Sequence, residues 1–311
     1  MTANELLRES APRGARRQAL SLLHDVRDVR DRLDDTSDEE ALHDFRVALR
    51  RLRSWLRAFR PLLRDTLARK AERRLKRIAR ATGASRDLEV HIAWIEHTRR
   101  SVRGQARDGP AWLLDRLHAQ KTACDSELRH VIDDEYDRTV ECVERGLLHY
   151  TASVLEDEAP FAPAFACLVE QHMDGLAEAL GRVGSLGDRT EAHAARIAAK
   201  RLRYLVEAVA DDDPTVDRII DDLKTLQDNL GELHDAQIFA SEIAALEADS
   251  LAAEPPAPEP RIAGLRLLSR RLRRRETRAF TAFMSGWAPP KLAVFASNLS
   301  EVVVSLKESA P

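Results

Sequence analysis

Residues 43–53 read HDFRVALRRLR, and residues 193–203 read HAARIAAKRLR. In both stretches a histidine is followed by basic residues three, seven, eight and ten positions later. A second shared block follows each of them, LKRIARATGASRD at residues 75–87 and LKTLQDNLGELHD at residues 223–235. Two motifs that return in the same order predict an internally duplicated fold.

The length of 311 residues is enough for about two compact units. The repeat predicts that they are two helical halves, residues 1–155 and residues 156–311. Apolar residues recur at steps of three and four along nearly the whole chain, and no alternating run is long enough for a β-strand. The sequence therefore predicts an all-α fold, an internally duplicated helical bundle.

Helix boundaries are predicted from caps and breakers. The residues SDEE at 37–40 match a capping box, and Ser85 is a candidate cap for a helix that ends near Arg99. Gly and Pro interrupt helical patterns, Pro because it lacks the amide proton and clashes with the preceding turn. We expect breaks at Pro61, Gly83 and Gly231, and at residues 104–110, 211–214 and 254–260.

Charge is unevenly distributed along the chain. The formal net charge is only −3, which excludes a protein with positive potential over its whole surface. Residues 46–80 nevertheless contain 14 Lys and Arg against two acidic residues, so the rest of the chain is acidic. A local concentration of positive charge predicts an anionic partner.

The first copy of the motif predicts a helix with two different faces. At 100° per residue its apolar side chains share one direction, and its basic side chains form a second stripe about 120° away. The second copy has the same phase. The predicted buried stripes are Phe45, Leu49, Leu52, Leu56 and Phe59 in the first copy, and Ala195, Ala199, Leu202, Val206 and Val209 in the second.

The basic stripes predict a binding surface for a polyanion. Like charges one turn apart destabilise a helix by a few tenths of a kcal/mol per pair, and few acidic residues stand at the spacing that would neutralise the first row. The rise from His43 to Arg57 is about 21 Å, which suits a row of phosphates and is too long for one small metabolite. The candidate ligands are His43, Arg46, Arg50, Arg53, Arg57, His193, Arg196, Lys200 and Arg203.

Further basic residues are expected to extend this surface into a groove or channel between the halves. Three arginines follow at steps of four and three in a later helix, whose leucines fall on another side. Other cations belong to the second shared block. These additional candidates are Arg266, Arg270 and Arg273, together with Lys76, Arg80, Arg86, Lys224 and His234.

The two blocks together resemble those of the conserved histidine α-helical domain (CHAD) family, over nearly the whole chain. The resemblance implies two antiparallel four-helix bundles with pseudo-two-fold symmetry and a basic central cavity that binds inorganic polyphosphate. It also implies association with polyphosphate granules, and as partners granule proteins or a separate triphosphate tunnel enzyme. The sequence departs from the pattern twice: Arg86 stands where the second half has His234, and Glu207 stands where an equivalent of Arg57 is expected.

Several alternatives remain open. The basic stripe could be an ordinary solvated face, and the histidines could make local hydrogen bonds at helix starts. His43-Asp44 and His234-Asp235 could hold a catalytic metal in an HD-type phosphohydrolase, although neighbouring arginines would repel the cation. A nucleic-acid-binding helical protein is the other alternative, but the aromatics follow core spacing and do not interleave with the arginines. We expect a binding protein without catalytic residues, metal or cofactor.

Cysteine usage and hydropathy predict the compartment. Cys124, Cys142 and Cys167 form no C-x-x-C pair and are odd in number, which favours reduced thiols. The N-terminal residues carry charges in place of the apolar core of a secretory signal, and no run of 18 apolar residues occurs. We expect a cytoplasmic protein with no membrane partner, and the family resemblance implies a location at polyphosphate granules.

Overall fold

The computed structural model describes residues 3–35, 37–38, 40–63, 69–149, 159–210 and 213–308. Within these residues the chain forms helices joined by turns, and the prediction of an all-α fold is confirmed. Within these residues an isolated antiparallel β-bridge joins Ser10 and Pro160. The α-helices of this part of the chain are α1 (Ala3–Leu7), α2 (Ala11–Arg32), α3 (Ala41–Ala58), α4 (Arg69–Arg99), α5 (Asp108–Leu148), α6 (Phe161–Gly181), α7 (Arg189–Val206), α8 (Pro214–Ala252), α9 (Glu259–Gly286) and α10 (Pro289–Glu308).

Most of the breaks predicted at prolines agree with the observed helix ends. Helix α3 ends at Ala58, before the turn that contains Pro61, and α8 and α9 are separated by the proline-rich segment 253–258. The Asp213 carboxylate accepts a hydrogen bond from the Thr215 amide at 2.7 Å and so caps α8.

The predicted break at residues 104–110 is a change of helix. A short 3₁₀ turn, Gly104–Arg107, leads from the end of α4 into α5, and Gly104 has a φ of 64°, which favours glycine. Residues 211 and 212 of another predicted break lie outside the described residues. The boundary between the halves at residue 155 lies outside them too, and the internal duplication stays a prediction.

Two predicted helix starts are wrong. Helix α4 continues through Ser85, which is buried in its middle and donates a hydrogen bond to the Asp125 carboxylate at 2.6 Å. The capping box does not form, because α3 begins only at Ala41 with Glu40 at its N-cap, and Ser37 Oγ donates to Asp35 at 2.6 Å. In both places the serine hydroxyl donates to an aspartate and does not cap a helix. Glu39, one of the acidic residues of the box, lies outside the described residues.

The two predicted glycine breaks are also wrong. Helix α4 runs through Gly83 and α8 runs through Gly231 without interruption. A glycine inside a helix costs about 1 kcal/mol relative to alanine. Burial of a single large apolar side chain contributes about 1.5–3 kcal/mol, and both helices bury such side chains before and after the glycine. Tertiary packing therefore outweighs the local signal.

The predicted apolar stripes of α3 and of the second motif copy are buried. All ten of their side chains lie in one large core that contains residues from both ends of the chain. In this core Trp55 of α3 donates a hydrogen bond to the Ala15 carbonyl at 2.8 Å and lies near Phe161 and Phe165 of α6. Burial of these stripes fixes the rotation of α3 and α7 about their axes, and with it the direction of their basic stripes.

A second, smaller core lies where the distal parts of four helices meet. It contains Ile95 of α4, Leu113 of α5, Phe239 of α8 and Leu268 of α9. The hairpin of α4 and α5 and the hairpin of α8 and α9 therefore meet at this core, while α3 and α7 contact each other directly. No described helix contains an apolar stretch of the length that a bilayer requires.

Candidate anion-binding face

The basic stripes of the two motif copies come together in the structure. The guanidinium of Arg50 in α3 lies within electrostatic range of Arg46 on its own helix and of Arg196 and Arg203 on α7. The ammonium of Lys200 in turn lies near Arg50 and Arg196. We call the surface formed by Arg46, Arg50, Arg53, Arg196, Lys200 and Arg203 the cationic face.

Much of this positive charge is withdrawn from water. Burial lowers the pKa of Arg50, and the charges of Arg46, Arg196 and Arg203 act in the same direction. The pKa of Lys200 falls to about 6, first because the amine is buried and then because Arg196 and Arg50 repel its charged form. An anion placed here would raise the pKa of Arg50 and of Lys200 again, since it supplies a negative charge next to both.

Two histidines of the second half lie side by side at one end of this face. The ring centroids of His193 and His234 are 4.5 Å apart. Burial, followed by the charges of Arg196 and His193, lowers the pKa of His234 to about 4, and burial also lowers the pKa of His193. His193 Nδ1 is buried and has no hydrogen-bond partner among the described residues. Both rings are therefore neutral at physiological pH and can each donate one hydrogen bond.

The equivalent positions of the first half are arranged differently. Arg86, the counterpart of His234, donates to Glu89 one helical turn along α4 at 2.8 Å. His43, the counterpart of His193, is partly buried near the start of α3. Arg86 is a weaker candidate phosphate ligand, because it already pairs with a carboxylate of its own helix.

The structure explains why the two sequence blocks occur together. Arg46 of the first block donates a hydrogen bond to Asp87 of the second block at 3.1 Å, and the corresponding Arg196 and Asp235 are 4.0 Å apart. A Cβ added at Gly83 would lie 4.0 Å from Arg46 Nη2, and one added at Gly231 would lie 3.7 Å from Arg196 Nε. Each glycine thus marks the place where the arginine side chain lies against the neighbouring helix.

Carboxylates from outside α3 contact some of the basic residues. Asp87 reaches Arg46 from α4. Glu207, the residue that departs from the family pattern, lies 3.0 Å from Arg51 of α3 and 3.5 Å from Arg203. Among the described residues, the cationic face therefore has carboxylates near Arg46, Arg196 and Arg203, whereas Arg50 and Arg53 have no ion pair.

A cavity of about 240 Å³ lies at the C-terminal end of α3. It brings Arg53 and Arg57 next to Lys76 of α4, and all three are candidate ligands from the sequence. Arg60 and Arg73 also line it, and the sequence analysis missed both. A signal was available for each: Arg60 follows Arg57 by three residues, and Arg73 precedes Lys76 by three, so each continues a basic stripe by one turn.

Among the described residues, no contact connects the remaining predicted ligands with the cationic face. Arg266 of α9 pairs with Glu247 at 2.8 Å, and Arg273 lines a different cavity with Arg189. Lys224 pairs with Asp221 at 3.1 Å on its own helix. The two remaining candidates, Arg80 and Arg270, are exposed.

Tyr204 is a further residue that the sequence analysis missed. Its side chain is buried, and its hydroxyl has no hydrogen-bond partner among the described residues. The guanidinium of Arg203 lies 5.0 Å from the centre of its ring, within the range of a cation–π contact. The motif spacing contains no signal for this position, because Ser54 occupies its place in the first copy.

The carboxylates of the two His-Asp pairs each contact an arginine. Asp44 accepts a hydrogen bond from Arg32 at 2.7 Å, and Asp235 lies 4.0 Å from Arg196. In the described part of the chain, no three His, Cys, Asp or Glu side chains are grouped closely enough to hold a metal ion. The geometry therefore favours anion binding over the metal site considered from the sequence.

Comparison with known proteins supports this fold. The CHAD domain family model matches residues 15–244. The chain is similar to the crystal structure of the CHAD domain from the plant Ricinus communis, with 17% identity, a TM-score of 0.67, and coverage of 94% of this chain and 93% of that one. It is also similar to PptA from Streptomyces chartreusis, with 18% identity, a TM-score of 0.65, and coverage of 92% and 99%. No curated protein matches the sequence.

Proposed function

Because this chain belongs to the CHAD domain family, we propose that it binds inorganic polyphosphate along the cationic face. The observation that carries the proposal is the approach of basic side chains from both motif copies. Arg50 of α3 and Lys200 of α7 share one partly buried, positively charged environment. A linear chain of phosphates supplies regularly spaced negative charge to both helices at once.

The chemistry of the face suits phosphate oxygens. Arginine presents a planar set of donors that matches two oxygens, lysine acts as a compact charge, and a neutral histidine donates one hydrogen bond. The face carries arginine and lysine, and His193 lies next to Arg196 and Lys200. Arg46, Arg50 and Arg53 follow one another along α3, and such a row favours a polymer over a single phosphate.

We further propose that the protein is a binding module and not an enzyme. Its role would be to target or hold polyphosphate in the cytoplasm, at granules, together with granule proteins or a separate triphosphate tunnel enzyme. The proposal includes no cofactor. A phosphatase assay with divalent metal ions tests it, because turnover of polyphosphate by the purified protein would contradict a pure binding role.

Charge reversal at the centre of the face tests the proposed site. Arg50→Glu together with Arg203→Glu should reduce the affinity for long-chain polyphosphate by about a hundredfold or more, because two charge-assisted contacts become repulsive. At position 50 the new glutamate would lie among Arg46 and Arg196, whereas at position 203 it would lie beside Glu207, so the single Arg50→Glu variant is measured as well. Isothermal titration with polyphosphates of graded length measures the affinity, and circular dichroism checks the fold.

A matched control has the same change in charge elsewhere. Arg182→Glu with Arg218→Glu alters two exposed arginines outside the cationic face. This control should bind nearly as the unmodified protein does. Equal affinity of the Arg50 and Arg203 variant and this control would contradict the proposed site.

Nucleic acid is the competing ligand, because its binding also weakens with salt. Competition separates the two ligands. Long-chain polyphosphate should remain bound when duplex DNA or RNA is added at equal phosphate concentration. Displacement by either nucleic acid would favour the alternative.

A further inference from the structure

The cavity at the C-terminal end of α3 carries an unusual excess of positive charge. We call it the end cavity; its basic lining residues are Arg53, Arg57, Arg60, Arg73 and Lys76. Glu72 is the carboxylate of its lining, and none of the five cations has an ion pair within 4 Å among the described residues. Elsewhere in the molecule many arginines are paired, such as Arg27 with Glu144 at 2.6 Å. Such an excess of positive charge is typical of a site that binds an anion.

The second half adds to this positive environment. Burial lowers the pKa of Arg201 in α7, and the charge of Arg57 lowers it further. Burial likewise lowers the pKa of Arg53, with Arg57 and Arg50 acting in the same direction. Arg50 and Arg53 thus connect the positive charge of the end cavity with that of the cationic face.

The opposite end of the face has the reverse character. Arg46 contacts Asp87 there, and Arg196 lies near Asp235. A third carboxylate, Glu242, is close enough to Asp87 for their mutual repulsion to raise its pKa, in addition to the larger effect of burial. From Arg46 to Arg57 the rise along α3 is about 17 Å. Over that length the carboxylates near Arg46, and Glu207 beside Arg51, are followed by the cations of the end cavity, which have no ion pair among the described residues.

A linear polyphosphate has a corresponding difference between its ends and its interior. A terminal phosphate has two ionisable oxygens and, like a phosphate monoester, carries about −1.5 to −2 at pH 7. An internal unit resembles a phosphodiester and carries about one negative charge. The group with the larger charge gains most from a cavity lined by several unpaired cations.

We propose that the end cavity binds the terminal phosphate of a linear polyphosphate, so that the chain lies on the cationic face with one end fixed. This inference rests on the proposed function and adds a subsite to it. Arg60 and Arg73, which lie beyond the repeated motif, would recognise the chain end. The carboxylates at the opposite end would keep a second terminal group away from that side.

A comparison of linear and cyclic phosphates tests the inference. Linear triphosphate carries about −4 to −5 at pH 7 and has two ends, whereas cyclic tetraphosphate carries about −4 and has none. We expect the protein to bind the linear compound about tenfold more tightly, as one additional charge-assisted contact would give. Isothermal titration of the full chain at neutral pH measures both affinities.

A variant of the end cavity completes the test. In Arg60→Gln with Arg73→Gln the ratio of the two affinities should fall to about one, while Arg182→Gln with Arg218→Gln should keep the ratio. Equal binding of linear and cyclic compounds by the unmodified protein would overturn the end cavity and leave the proposed function intact, provided that long-chain polyphosphate still binds. Failure to bind any polyphosphate would overturn the proposed function itself.

Discussion

Lys200 shows at the scale of one residue why the cationic face is an unfavourable arrangement for the unliganded protein. Burial and the repulsion of Arg196, Arg50 and Arg46 lower the pKa of its amine to about 6, against a smaller opposing effect of Asp235. An ordinary lysine has a pKa of about 10.4. Between these two pH values the amine is protonated in the unfolded chain and neutral in the folded chain. Folding must then release this proton, and the free energy of that release opposes folding.

Replacement of this amine should therefore stabilise the protein. Lys200→Met keeps an unbranched side chain of similar length and removes the charge, and it should raise the free energy of unfolding at pH 7 by about 1 kcal/mol or more. The same change should lower the affinity for polyphosphate, because one phosphate contact is lost. Chemical denaturation and isothermal titration measure the two effects.

The pH dependence gives this prediction a definite sign. In the unmodified protein the lysine contributes a free energy of unfolding that rises with pH between about 6 and about 10, by up to about 1.4 kcal/mol per pH unit. The advantage of Lys200→Met should consequently shrink as the pH rises through this window. A stability difference that stays constant across it would contradict the buried, repelled amine.

Sequence reasoning could identify individual basic residues of the candidate site, because helical phase alone determines which side chains share a stripe. Arg50 and Arg203 follow from the 100° rotation per residue and from burial of the opposite stripe. Their surroundings could not be predicted in the same way. Asp87 reaches Arg46 from another helix, and the unpaired hydroxyl of Tyr204 depends on packing that no spacing rule describes.

At the scale of the helix, glycine has different effects in different places. Gly83 and Gly231 were predicted to end helices and instead lie inside α4 and α8, beside an arginine of the repeated motif. The repeat was recognisable in the sequence, but the reason for its glycines was not, because it involves a side chain on a neighbouring helix. Local propensity alone therefore misplaced the helix boundaries.

Gly109 and Gly264 show a stricter requirement, where α5 meets α9. A Cβ added at Gly109 would lie 2.6 Å from the Gly264 Cα and 2.7 Å from the Arg261 carbonyl oxygen. Gly109→Ala should therefore lower the free energy of unfolding by about 1–3 kcal/mol, since backbone atoms must move apart. Thermal and chemical denaturation measure this loss.

Gly175 provides the control for this prediction. It also lies inside a helix, α6, but an added Cβ would meet nothing within 4 Å. Gly175→Ala should raise the free energy of unfolding by about 0.5–1 kcal/mol, because alanine is the better helix former. If Gly109→Ala stabilised the protein to the same extent, the close approach of α5 and α9 would be refuted.

At the scale of the whole molecule, contacts between distant helices decide which basic rows belong to the candidate site. The row of Arg266, Arg270 and Arg273 has the spacing of a binding stripe, yet Arg266 pairs with Glu247 and Arg273 lines a different cavity. Periodicity describes one helix at a time and cannot show which surface another helix will face. Direct contact between α3 and α7, in contrast, places the two motif copies on one face.

Glu207 links these two copies, because its carboxylate lies 3.0 Å from Arg51 of α3 and 3.5 Å from Arg203 of α7. Glu207→Gln should lower the free energy of unfolding by about 1–3 kcal/mol, since both arginines lose their carboxylate partner. The same variant should bind polyphosphate severalfold more tightly, because the competing negative charge is gone. Saturating polyphosphate should then restore much of the lost stability in thermal denaturation. The exposed Glu178→Gln should change neither quantity. A variant weakened in both stability and affinity would show that Glu207 shapes the face instead of competing with its ligand.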